Sequence, residues 1–94
     1  MKTGIDLIRE EREEQLIKHG RSVESDVSLN TKRELMNGAR QLLKGGDYDV
    51  RMRLVGMPMT WDDDVCYNMV KKSYKERLIT AGALIAAEID RIDN

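Results

Sequence analysis

Apolar residues recur along this chain at helical rather than alternating spacing, in three stretches separated by small and polar residues. The first stretch opens with Thr3 and Asp6, the spacing of a capping box, and predicts a helix over about residues 4–19 closed by Gly20. At about 100° per residue, Ile5, Ile8 and Leu16 gather on one side of it, with Arg12 in the middle of that side and Gln15 and His19 close by. Residues 20–30 read as a connection. Ser28 or Asn30 is placed to cap a second helix over about 29–44, where Leu35, Ala39, Leu42 and Leu43 share a face and the Gly45-Gly46 pair ends the run. Gly38 lies beside that face, where a missing side chain lets another helix approach closely. A third helix is expected over about 62–92. Thr60 and Asp63 repeat the capping-box spacing, and Asp62, Asp63 and Asp64 suit the positive end of a helix dipole. Its expected inward stripe is Val70, Tyr74, Arg77, Ala81, Leu84, Ile85, Glu88 and Ile92, with a bend near Lys71, Lys72 and Ser73. Residues 45–60 fit neither period and read as a long extended Met-rich loop over the helices. The expected fold is all-α, a single helical domain of three main helices.

Composition sharpens this picture in one respect. The chain has 94 residues, 40% hydrophobic and 35% charged, with no Phe and one Trp. A short chain with a thin aliphatic core hides a limited part of its surface when folded alone, so a homodimer that shares one larger core is the expected assembly. The 16 basic and 17 acidic residues nearly cancel without forming a basic stripe, so nucleic acid is not an expected partner. No apolar run approaches a membrane span and the N-terminal residues lack a signal-peptide core, so the expected location is cytoplasmic. The lone Cys66 fits a reducing compartment, and the single His19 makes no metal site by itself.

Candidate chemistry rests on carboxylates. Glu88 interrupts the aliphatic run "LITAGALIAAEIDRI", and a carboxylate taken out of water is normally paired, protonated or bound to a cation. One reading pairs it with an arginine, either Arg91 one turn on or Arg12 from the first helix. The other makes it a ligand of a divalent ion, Mg²⁺ or Mn²⁺, held by acids converging from several helices. Glu11 and Glu14, spaced i, i+3, reach one point from adjacent turns, and Glu10 and Glu13 repeat that spacing on a more exposed side. Glu34 borders the second helix's apolar face with Asn37 at i+3, while Glu24 and Asp26 lie in the preceding connection. The ordinary alternative for all of these is a solvated acidic face.

Two resemblances follow from quoted segments. "IREEREEQL", "ESD", "REL", "TW" and above all "AGALIAAEIDRI" resemble a family of small helical proteins of phages and prophages with the pattern E-R-x-R-Q, an acid-His-acid loop, E-L-A and A-G-A-L-I-x-A-E-I-D-R. Ser25 stands where that family has its His. More distantly, an E-x-x-E helix followed by E-L-x-D is similar to the all-α nucleoside triphosphate pyrophosphohydrolases of the MazG type. That resemblance implies Mg²⁺ held by four acids. Carried over, Glu11 and Glu14 match the first pair and Glu34 the third, but Asn37 stands at the fourth, leaving Glu88 or Asp26 to supply the missing charge. Arg12, Lys18 and Arg77 are then the candidates for binding the triphosphate.

Two functions are thus expected. One is Mg²⁺-dependent nucleotide hydrolysis, the only enzyme class with any support, since no nucleophile-base set, phosphate loop or zinc spacing is present. The other is a non-catalytic helical protein-interaction module, suggested by the apolar surface of Met52, Leu54, Val55, Met57, Met59 and Trp61.

Overall fold

A computed structural model describes residues 1–18, 33–45 and 49–93. Its helices are α1 (Gly4–Lys18), α2 (Glu34–Leu42), α3 (Val50–Val55), α4 (Asp63–Val70) and α5 (Tyr74–Ile92). The described residues contain no strand, and the all-α expectation holds.

The N-terminal helix starts as its sequence predicts. Thr3 N donates to Asp6 Oδ2 at 2.9 Å and Asp6 N donates to Thr3 Oγ1 at 3.2 Å, so two otherwise unpaired amides are satisfied reciprocally. The bond from the Thr3 amide to the carboxylate, with the Thr3 side chain next in effect, holds the Asp6 carboxyl below its usual range. Since the folded-state value is depressed, this contribution is present at neutral pH and lost as pH falls through the acidic range.

The second helix begins later than its spacing predicts. Arg33, not Ser28 or Asn30, is the residue before its first turn, and it adopts a left-handed conformation at φ 65° with no side-chain cap. Residues 19–32 and 46–48, and with them both expected caps and the polar connection, lie outside the described residues. Within the expected loop over 45–60, Val50–Val55 form a short helix rather than extended chain. This helix is anchored by Arg53, which is fully buried. Its Nε donates to the Val70 carbonyl at 3.1 Å and its Nη1 to the Lys44 carbonyl at 3.0 Å. Those oxygens lie at the negative ends of α4 and just beyond α2, where a cation is favoured.

The expected third helix is two helices. Asp62 caps α4, accepting from Asp64 N at 2.9 Å and Val65 N at 3.1 Å, so the cap is Asp62 rather than Thr60. The break falls where a bend is expected. Ser73 is extended and closes a reciprocal pair, with Oγ accepting from Glu76 N at 3.3 Å and donating to Glu76 Oε1 at 2.9 Å. That pair starts a new helix instead of continuing the old one.

α5 is the central element, with α1 and α2 packed along it. The core joins Leu35, Ala39 and Leu42 of α2 to Cys66 and Val70 of α4, Met57, and Ala81, Leu84 and Ala87 of α5. Two glycines allow close contacts. A Cβ on Gly38 would stand 2.6 Å from the Trp61 ring of the α3–α4 connection and 3.5 Å from Leu84 of α5, so both the indole and another helix approach there. A Cβ on Gly82 would meet Ile8 of α1 at 2.6 Å.

α1 docks through its polar residues. Arg12 and Gln15 are buried, as their place in the wheel suggests, whereas Ile5 and Leu16 from the same expected face are exposed. Among the described residues neither amide atom of Gln15 meets a hydrogen-bond partner, although the side chain is 98% covered. A buried amide without partners costs stability, and a similarly shaped apolar group removes that cost.

Two outcomes follow for chemical denaturation. Ser73→Ala lowers unfolding free energy by about 1 kcal/mol, the usual value of a helix cap. Gln15→Leu raises it by up to about 1 kcal/mol, with the denaturant slope unchanged.

Candidate acidic groove and apolar face

Two features of the surface carry candidate chemistry. The first is an open groove of about 360 Å³ between α1 and the start of α5, lined by Leu7, Glu10, Glu11, Glu14, Lys72, Glu76, Ile79 and Thr80. The i, i+3 spacing does bring Glu11 and Glu14 to one place, with Glu10 alongside and Glu76 from the facing helix. Yet the acids are engaged in ordinary pairs. Lys2 meets Glu10 at 2.6 Å, Lys72 meets Glu11 at 3.5 Å, and Glu76 takes the Ser73 hydroxyl; Glu14 is engaged too. Lys72 Nζ also donates to Thr80 Oγ1 at 3.2 Å. The Thr80 hydroxyl lies 3.0 Å from the Glu76 carbonyl and 3.3 Å from Glu11 Oε1, and its single proton serves one of them. The groove is therefore a polar seam that ties α1 to α5.

The other sequence candidates stand elsewhere. Glu88 is buried, as expected of an acid among leucines, and its Oε1 accepts from Arg91 Nε on its own helix. Arg12 does cross from α1 to α5, but it meets Asp90 Oδ2 at 3.4 Å instead of Glu88. Glu34 opens α2 and lies off the groove, and Asn37 is exposed. Glu13 is exposed on the outer side of α1. Of the phosphate candidates, Arg77 is buried with its guanidinium 5.6 Å from the Tyr74 ring, and Arg12 is committed to Asp90. The Lys18 side chain, His19, Glu24, Ser25 and Asp26 lie outside the described residues. Among the described residues, no three His, Cys, Asp or Glu side chains come together closely enough to hold a metal ion. Among the described residues the acids thus do not form a ready Mg²⁺ or Mn²⁺ centre. Cys66 is buried, and that burial, reinforced by the negative charges of Asp63 and Asp62, pushes its thiol pKa up, away from a reactive thiolate.

The second feature is apolar. Tyr74, Leu78, Ile85, Ile89 and Ile92 fall within about 60° of one another around α5 and are each 41–65% exposed. They form one stripe running the length of the helix, about 27 Å at 1.5 Å per residue. Tyr74, Ile85 and Ile92 were expected to point inward, and the structure turns them out. The reason is steric. α1 and α2 close on the side of α5 that carries Thr80, Ala83, Leu84 and Ala87, whose mostly small side chains allow close approach, and the bulkier isoleucines are left on the opposite side. The period alone identifies these residues as sharing one side, without saying which side meets the core. In the preceding segment, Met57 is buried and Leu54 and Trp61 pack against the core, while Met52, Val55 and Met59 face solvent. No helix among the described residues is long and apolar enough to cross a membrane. Set beside known proteins, the chain matches no family model, no curated sequence and no solved structure.

Proposed function

We propose that this protein is a non-catalytic helical interaction module whose docking face is the apolar stripe of α5. The observation that carries this reading is the run Tyr74, Leu78, Ile85, Ile89 and Ile92, exposed together along one side of a 19-residue helix. Scattered apolar residues on a surface are ordinary, but a contiguous stripe at helical spacing is the form that receives another amphipathic helix. The stripe lies mostly within "AGALIAAEIDRI", the segment that most resembles the phage and prophage family. A reducing, cytoplasmic setting fits the buried free thiol of Cys66.

A second reading, a Mg²⁺- or Mn²⁺-dependent nucleoside triphosphate pyrophosphohydrolase of the MazG type, is supported by Glu11 and Glu14 sharing one groove with Lys72. It needs rearrangement of the paired acids, which is why it stands second.

The readings separate in two measurements. The double variant Ile85→Lys/Ile89→Lys keeps its helical circular dichroism and still unfolds cooperatively, because within one chain both side chains are already exposed. Unfolding of that variant would place the stripe in the chain's own core and remove the docking face. For the second reading, millimolar Mg²⁺ or Mn²⁺ leaves the melting temperature unchanged and no pyrophosphate is released from common or deoxy nucleoside triphosphates. A rise of several degrees accompanied by pyrophosphate release would reverse the order.

A further inference from the structure

We infer that the occupant of the α5 stripe is the same stripe of a second copy of this chain, with the two helices running antiparallel. This rests on the docking-face reading and adds the partner and its orientation.

Three observations argue for it. The first is spacing. Leu78, Ile85 and Ile92 are seven residues apart, so a two-fold axis beside Ile85 sets Ile85 on its twin and Leu78 opposite Ile92 at both ends. The second is charge. By rotation about α5, Lys75 and Asp93 border the same edge of the stripe, one at each end, and both are exposed. A two-fold axis across an antiparallel pair keeps that edge on one side, so Lys75 of each copy comes beside Asp93 of the other, twice. A parallel pair instead sets Lys75 of both copies together at one end and Asp93 of both at the other, and it aligns two helix dipoles unfavourably.

The third is area. The exposed parts of the five stripe side chains amount to roughly 500 Å² per copy, or about 1,000 Å² for the pair, which reaches the lower bound of specific interfaces. The association is therefore reversible and concentration-dependent. It also supplies the burial that a chain of this length lacks on its own.

The experiment uses the full chain. Sedimentation equilibrium across a concentration series gives twice the 10.8 kDa chain mass at the upper end, and Ile85→Lys/Ile89→Lys, still folded, sediments as a monomer. Orientation is read by disulfide trapping. Ile85→Cys links to itself, and a mixture of Leu78→Cys with Ile92→Cys links across. Leu78→Cys alone links at least about tenfold less, since its twin lies roughly 21 Å away, well outside disulfide reach. The parent, whose one thiol is buried, is the unlinked control. Reversing Lys75→Asp weakens the dimer several-fold, and adding Asp93→Lys restores it. A parent that stays monomeric at high concentration overturns the self-pairing while leaving the docking face in place for another partner. Efficient Leu78→Cys self-linking overturns the antiparallel geometry. A dimer that survives the double lysine variant overturns the stripe as its surface.

Discussion

The structure depends on how closely its neighbours can approach one side of α5. Ala81, Ala83 and Ala87 are buried there with Leu84, and Gly82 at the edge leaves room for Ile8 of α1. Small side chains shorten the distance between helix axes, so a core with little aromatic material still reaches the density that dispersion and burial require. α2 seats Leu35, Ala39 and Leu42 against this side, and Trp61 fills the gap over Gly38. Arg77 and Leu84 are the large side chains fully buried on this helix, while Tyr74, Leu78 and the isoleucines at 85, 89 and 92 lie outside the contact. The same packing that builds the core thereby creates the exposed stripe.

Charge placement follows from that geometry. A fully buried guanidinium costs several kcal/mol unless its protons are used, and Arg53 donates from Nε and Nη1 to carbonyls at the end of α4 and just beyond α2. One side chain thereby orients α3 and joins the ends of two other segments. α1, by contrast, is held by polar pairs, Arg12 with Asp90 and Lys72 with Glu11. Such pairs are directional and weaker per contact than aliphatic burial, so α1 is positioned by charge geometry more than by hydrophobic area. Of the acidic run that suggests metal chemistry, Glu11 is put to that use.

Much of the local architecture is legible in the chain. Thr3 with Asp6 and Asp62 before its acidic neighbours announce helix starts, because capping is settled within four residues. Leu35, Ala39 and Leu42 are buried together as their spacing requires. The short helix holding Arg53 is less legible, since its stabilising carbonyls, Lys44 and Val70, lie nine and seventeen residues away. Glu88 is similar: its burial can be anticipated from its apolar neighbours, whereas the choice of Arg91 over Arg12 depends on how α1 is seated.

By itself, then, the sequence determined what local chemistry controls: the all-α class, the helix starts at Thr3 and near Asp62, a change of direction near Ser73 and the grouping of apolar residues onto shared sides. Tertiary structure alone decided which of those sides faces inward, since helical periodicity defines an angle around an axis and carries no information about where the next helix lies. That is why Tyr74, Ile85 and Ile92, spaced like core residues, stand outside, and why Arg53, in a segment that reads as an extended loop, is enclosed.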